Sequence, residues 1–388
     1  MHFELTELTD AELALRADVR DFLAAELPRG SFSPGLGMMG AKDPEFSKKL
    51  GQRGWLGMAI PTRYGGHGRS AVDRLVVTEE LLRWGAPVAH HWVADRQSGP
   101  VIARFGTEEL KQRFLPPICA GELSFSIGMS EPGSGSDLAS LTTRAVRDGD
   151  GWLVTGHKIW TSFAHVNDWL ILLCRTTPVE ESGDKRAGLS QLLVDLRSPG
   201  VVVTPIPFID GTADFAEVVL DEVFVPDDQV LGEIGAGWTQ NTSELVFERG
   251  GPDRWLSTYL VVEEFLRQHE RGGDVWPSEI EGLLGRATAS YWVFHHLTLS
   301  VARAVDRGEE QSIEASLLKE MGTRFEQDIL EAVLALVDDE LLVPGDTLLG
   351  DLLATATLTA PAFTIRGGTL EVLRSVVAKG LRPREVAT

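Results

Sequence analysis

The residues with the clearest chemical potential lie between 125 and 162. Phe125-Ser-Ile-Gly-Met-Ser130 is a short, mostly apolar run that opens into Glu131-Pro-Gly-Ser-Gly-Ser-Asp137. Glycines let backbone N–H groups come close to a ligand, and serine hydroxyls add further donors. About twenty-five residues on, Gly156-His-Lys-Ile-Trp-Thr-Ser162 reads as a strand ending in a flat aromatic wall and two hydroxyls. A Gly/Ser loop beside an aromatic wall suits a large planar cofactor that carries phosphate.

Three kinds of segment must position these residues. The first 120 or so residues read as helical. Thr9 and Glu12 have capping-box spacing, Leu15, Val19, Phe22 and Leu23 share a helical face, and Pro28 is a stop signal. Residues 29–42 read as a loop. From about 123 to 233 the period changes to short β-branched and apolar runs: Trp152–Thr155, Trp169–Cys174, Leu189–Asp195, Val201–Ile206 and Phe215–Val225. This predicts a small antiparallel β domain, with 177–187 as an exposed loop. Helical periodicity returns after about 236, where Ile313, Leu317, Met321, Phe325, Leu330 and Leu334 approximate one stripe.

The bulk properties narrow the function. A chain of 388 residues, 43% hydrophobic and 24% charged, has the composition of a globular protein of two or three domains. With 36 Lys plus Arg against 57 Asp plus Glu, the formal charge of −21 argues against nucleic acid or an anionic membrane as a main partner. No apolar run approaches the roughly 20 residues that span a bilayer. The acidic N-terminus has no signal or transit pattern, and the expected location is the cytoplasm. Cys119 and Cys174 stand alone in apolar contexts and read as packing residues. His90-His91 and His295-His296 lack the carboxylate spacing of a metal site. Gly35-Leu-Gly-Met-Met-Gly40 fits a dinucleotide pattern in letters only, because no strand precedes it.

The motifs of 125–162 resemble those of the acyl-CoA dehydrogenase flavoprotein family. So do Gly54-Trp-Leu-Gly-Met-Ala-Ile-Pro61 with Tyr64-Gly-Gly66, and Phe105-Gly-Thr-Glu-Glu-Leu-Lys-Gln-Arg-Phe-Leu-Pro-Pro117 with Gly121-Glu122. Val223-Phe-Val-Pro-Asp227 with Val230-Leu-Gly232, and Gly368-Thr369 with Glu371, complete the series. The resemblance implies an α+β, mainly helical fold: an N-terminal helical domain (1–122), a middle β-barrel-like domain (123–233) and a C-terminal four-helix bundle (234–388). It implies α,β-dehydrogenation of an acyl-CoA with FAD as cofactor, electron-transfer flavoprotein or a similar acceptor as partner, and an oligomer of like or related chains.

The same resemblance assigns residues. The reaction takes a proton from the carbon α to a thioester and a hydride from the β carbon, so it needs a carboxylate base. Many members carry that base directly before the C-terminal Gly-Thr, where this chain has Gly367. One branch places it six residues before a Gly-Gly pair, which here is Glu244 before Gly250-Gly251. Glu248 is the runner-up, with Arg249 or Arg254 as its suggested partner. The backbone N–H of Gly367 would bind the thioester carbonyl. Ile127, Met129 and Ser130 would run along the isoalloxazine. Gly135 and Ser136 would meet cofactor or CoA, Trp160 would cover the ring and Ser162 would reach its polar edge. Gly368, Thr369 and Glu371 would meet the ribityl and phosphate region. Trp92, Phe247 and Trp255 are candidate pocket walls or core.

Two patterns of the family are missing. An Arg–Phe–Gly segment is replaced by Arg267-Gln-His-Glu-Arg-Gly-Gly-Asp-Val-Trp-Pro277, and a Gln-x-x-Gly-Gly segment by Val343-Pro-Gly-Asp-Thr-Leu-Leu-Gly350. In the family these grip the ADP end of FAD from a neighbouring subunit. Two alternatives follow: a flavin monooxygenase on the same fold, or a flavin-poor subunit of a hetero-oligomeric dehydrogenase.

Overall fold

The computed structural model describes residues 1–272 and 276–381, the side chains of 243–248, 271, 272, 339 and 341 excepted. Its Cα atoms cluster into two compact units. One comprises Met1–Ala41, Ser70–Ala86 and Glu248–Thr388, the other Lys42–Arg69 and Pro87–Phe247.

The second unit holds the sheet. Its strands are β1 (Phe125–Gly128), β2 (Arg144–Asp148), β3 (Gly151–Ser162), β4 (Trp169–Arg175), β5 (Leu189–Asp195), β6 (Val201–Ile206), β7 (Phe215–Pro226) and β8 (Val230–Leu231). The spatial order is β6-β7-β3-β2-β4-β5-β8, with β1 beside β4. Most pairs are antiparallel, as the short-strand pattern predicts. β1 departs from it: it runs parallel to β4 in the register Phe125↔Trp169 to Gly128↔Leu172. A parallel pair needs a long crossover, and the β2–β3 hairpin between them supplies it. Val154, Leu170, Leu172, Leu192, Val218 and Val223 form a core on one face of the sheet.

β3 is longer than its apolar run suggested, and two bulges bend its pairing with β7. The register shifts between Val154 and Gly156 and again between Lys158 and Thr161. The second shift places one extra residue on β3, and Trp160 takes it up at φ 58°. Left-handed backbone is unusual for a bulky side chain and re-aims it. Trp160 is accordingly 55% exposed.

The first unit is helical. The Thr9–Glu12 capping box is present and starts the helix Asp10–Glu26, whose Val19 and Leu23 are fully buried. The helices Ser278–Asp306, Ser312–Leu334, Leu348–Thr359 and Leu370–Gly380 follow. Val261, Phe265, Leu283, Ile329, Val333 and Leu349 lie at the centre of their core.

The helix Ser312–Leu334 forms where expected, but its inward face is shifted from the predicted stripe. Met321 is exposed and Ile313, Leu317 and Phe325 are half-buried. Ala315, Leu318, Gly322, Ile329 and Val333 face inward, together with Ser316, Lys319, Thr323 and Glu326. An apolar count cannot find a face that is partly polar. Lys319, Thr323 and Glu326 are hydrogen-bonded to other parts of the unit, while Ser316 bonds the Ser312 carbonyl of its own helix.

Candidate functional site

The Gly/Ser loop is held by one buried carboxylate. Glu131 is 6% exposed and Lys158, on β3, is 0% exposed. Glu131 accepts from the Thr142 N–H (2.6 Å), the Thr142 hydroxyl (2.7 Å), the Thr143 N–H (2.9 Å) and the Lys158 ammonium (2.9 Å). Burial alone pushes its carboxyl up, but the Lys158 charge and the bonds from Thr143 and Thr142 outweigh this and hold it at about 2. Lys158 Nζ also donates to the Met129 carbonyl at 3.0 Å, and the Ile159 N–H donates to the Ser130 carbonyl at 2.9 Å. The turn itself closes on reciprocal Glu131–Ser134 backbone bonds of 2.9 and 3.0 Å. A recess of about 280 Å³ opens beside it, lined by Glu131, Gly133, Ser134, Ser140, Thr142 and His157.

Gly133 and Gly135 are informative because nothing inside the chain requires them. Neither adopts the left-handed region, and a Cβ added to either meets no atom within 4 Å. Gly128 differs, since a Cβ there would come within 3.1 Å of the Leu170 side chain and 3.4 Å of Lys158 Cγ. Open glycines on an anchored loop fit a bound group that approaches the backbone closely. Ile127, Met129 and Ser130 are half-buried, while Gly135 and Ser136 are exposed.

The other predicted residues of this unit sit on the same framework. Trp160 meets the Phe215 ring edge-on, centroids 6.3 Å apart. The Ser162 carbonyl accepts from the Ser126 hydroxyl at 2.8 Å. Asn167, 4% exposed, donates to the Phe125 carbonyl (2.7 Å) and to Ser126 Oγ (3.0 Å). β1 is thus tied by side chains to the end of β3 and to Asn167, with Ile127 and Met129 half-buried beside these bonds.

In the helical unit, Gly367 and Gly368 have φ of 65° and 98°. Such a pair is open to glycine and strained for other residues. Arg249, 8% exposed, donates to the Gly367 carbonyl at 3.1 Å. Arg366 donates to Glu326 (2.6 Å), Ser257 Oγ (2.9 Å) and the Asp253 carbonyl (3.1 Å). Glu326 is fully buried and also accepts from the Ser257 N–H at 2.7 Å. Burial pushes its carboxyl up against the pull of Arg366. Lys319 donates to the Phe363 carbonyl at 2.9 Å. The polar face of the helix Ser312–Leu334 therefore anchors the segment that carries both glycines. Thr369 caps the helix Leu370–Gly380 by accepting from the Val372 N–H, and Glu371 is exposed in its first turn.

Glu244 lies on the helix Gly237–Arg249, and its side chain is outside the described residues, as are those of Phe247 and Glu248. The pairing suggested for Glu248 falls there too. Arg249 and Arg254 bond to the Gly367 carbonyl and to Asp253 (3.2 Å) respectively. Trp92 and Trp255 are buried, and Trp255 Nε1 donates to Thr298 at 3.0 Å and its ring stacks on Phe294, which makes it core. His91 bonds Ser47 Oγ at 2.8 Å, and burial pulls it down to about 3. Among the described residues no cluster suits a metal ion. Gly35 and Gly40 pack on each other and Gly37 on Ser257, so that motif serves packing.

Sequence reasoning missed Lys158, Asn167, Arg249, Lys319, Glu326 and Arg366. Lys158 had a readable signal: the alternation Val154, Gly156, Lys158 puts it on the inner side of β3. The others are joined only by the tertiary fold.

Comparison with known proteins agrees with this fold. Family models described as the N-terminal, middle and C-terminal domains of acyl-CoA dehydrogenase match residues 9–122, 126–223 and 278–382. Acyl-CoA dehydrogenase IpdE1 of Mycobacterium tuberculosis is 33% identical over 95% of this chain and 97% of its own. The solved Tcur3481-Tcur3483 steroid ACAD is 33% identical with a TM-score of 0.86, covering 98% of this chain and 100% of that one. The ChsE4-ChsE5 complex from Mycobacterium tuberculosis is 31% identical with a TM-score of 0.83, over 98% and 99%. The chain belongs to the acyl-CoA dehydrogenase family, flavoprotein oxidoreductases that act on CH–CH bonds of acyl-CoA.

Proposed function

We propose that this chain carries out the FAD-dependent α,β-dehydrogenation of an acyl-CoA thioester, with Glu244 as the base. The observation that supports flavin binding best is the anchored loop with open glycines at 133 and 135. FAD, when bound, supplies the hydride acceptor for the β carbon. Ile127, Met129, Ser130, Trp160 and Ser162 hold its ring system, with Gly135 and Ser136 at cofactor or CoA. Gly368, Thr369 and Glu371 hold its ribityl and phosphate portion. Glu244 takes the α-proton, and the Gly367 N–H donates to the thioester carbonyl, whose oxygen gains charge as that proton leaves. The Arg249 bond to the Gly367 carbonyl supports the orientation of that segment.

The steroid ACAD at 33% identity supports a steroid-bearing acyl group as the first substrate class to assay. A second reading, a hetero-oligomer with a related chain, is favoured by the two-protein ChsE4-ChsE5 relative. It also fits the altered segments 267–277 and 343–350, where the family grips the ADP end of FAD. The domain limits we place at 1–122, 123–233 and 234–388, and the electron acceptor is electron-transfer flavoprotein or a similar carrier.

The test is single-turnover flavin reduction by acyl-CoA. Glu244→Gln should still bind substrate and lose reduction rate by about 100-fold or more. Unchanged reduction in that variant removes Glu244 from the mechanism. FAD uptake by the chain alone, against uptake only with a co-expressed related chain, separates the two assemblies.

A further inference from the structure

We propose that Lys158 is a positioning residue for the flavin: by holding the Met129 carbonyl, it fixes and polarises the Met129–Ser130 peptide so that the Ser130 N–H is presented to the cofactor. The inference rests on the flavin reading above and assigns a role to a side chain that touches no ligand itself.

The geometry carries it in three steps. A trans peptide is planar, so its C=O and N–H point in opposite directions. The Met129 C=O points inward, to an ammonium that is 0% exposed and 3.0 Å away. The N–H of Ser130 in the same peptide therefore points outward. The following carbonyl, of Ser130, is tied inward by Ile159 at 2.9 Å. Two successive peptides of the loop are thus set by one strand, and the first bears a cation. A charge-assisted bond is stronger than a neutral one and polarises the amide it engages, making its N–H a better donor.

Stability alone does not explain the lysine. A buried ion pair stabilises a fold no better, as a rule, than well-packed apolar residues of the same volume. Glu131 would keep its three bonds from Thr142 and Thr143 without Lys158. The carboxylate acts as the counter-charge that keeps Lys158 protonated in a dry site.

The experiment compares wild type, Lys158→Met and the neutral pair Lys158→Met/Glu131→Gln, expressed as the full chain with its partner chain where one is needed. FAD affinity, the bound-flavin absorption spectrum and potential, and the Tm of the FAD-free protein are measured. The double variant should recover most of the Tm lost in Lys158→Met. It should still bind FAD about tenfold or more weakly, with a shifted spectrum and potential. A double variant with wild-type affinity, spectrum and potential makes the pair purely structural and overturns the proposal. If neither variant folds, Ser130→Pro, which deletes the N–H, is compared with Ser130→Ala. A further tenfold loss in the proline variant at similar Tm upholds the proposal, and equal affinities overturn it. A wild-type protein that takes up no FAD in either assembly defeats the flavin reading itself, which is a separate result.

Discussion

The two glycine-bearing segments of this chain are both backed by buried ion pairs, and the pairs are built differently. Behind the loop 131–137, Glu131 meets Lys158 and three further donors, and its carboxyl is held at about 2. Behind the segment 365–369, Glu326 meets Arg366 and one backbone N–H, and burial pushes its carboxyl up. Burial and donor number together set the sign: a carboxylate saturated with hydrogen bonds stays ionised, while a wholly buried one with few partners and the Asp253 charge nearby is pushed toward its neutral form. The cations differ as well. A buried lysine can shed its proton, whereas an arginine cannot.

The largest effect should come from removing each counter-charge. Glu131→Gln removes a carboxylate held at about 2 by Lys158 and the Thr142 and Thr143 donors, and should cost on the order of 3 kcal/mol in denaturant unfolding of the FAD-free protein at pH 7. Glu326→Gln should cost less, because burial already pushes that carboxyl toward the neutral form that Gln resembles. Equal losses, or the reverse order, would break the comparison.

Acid should separate the pairs next. The Glu131 carboxyl is depressed from 4.5 to about 2, so its contribution is full above pH 4.5 and lost as pH falls toward 2. That shift corresponds to a loss on the order of 3 kcal/mol. Glu326 is raised, so its contribution has the opposite sign: present at low pH and lost as pH rises through its folded value. Unfolding free energies followed from pH 7 to 3 should therefore slope less in Glu131→Gln than in wild type, and more steeply in Glu326→Gln. Parallel curves for all three proteins would show that the two carboxyls do not differ in this way.

The glycines give the smallest effect. Gly368→Ala adds a Cβ at φ 98° and 3.2 Å from Arg249, and should destabilise the FAD-free protein by about 1–3 kcal/mol. Gly135→Ala meets nothing in the chain, and should leave the FAD-free protein unchanged or more stable by about 0.4–1 kcal/mol while weakening FAD binding. A Gly135→Ala protein with wild-type FAD affinity would remove that glycine from the cofactor site.

The same contrast explains what the sequence made legible. The helix–strand–helix order, the Asp10–Glu26 helix and the five predicted strands follow from local periodicity and capping, and they are present. The loop 131–137 and Lys158 lie within one stretch of chain, so motif and alternation together carry them. Arg366 acts with Asp253, Ser257, Lys319 and Glu326, which no local pattern connects. The apolar stripe Ile313–Leu334 lies on the helix but is turned from its inward face for the same reason: that helix turns polar side chains inward to serve a distant segment. β1 misled in a simpler way, because periodicity reports a strand but not the direction of its partner.

The span of each anchor also sets a clock. Everything that Glu131 and Lys158 need lies within the strands that end at Pro226, whereas the guanidinium of Arg366 is made some 140 residues later. At a ribosomal pace of about 5–20 residues per second, this is a delay on the order of ten seconds. During it the nascent sheet can mature while Glu326, already synthesised near the end of that interval, still awaits its cation. The C-terminal segment is then the last part to be locked, and a chain truncated before residue 366 would present Glu326 to quality control as a buried carboxyl without its cation.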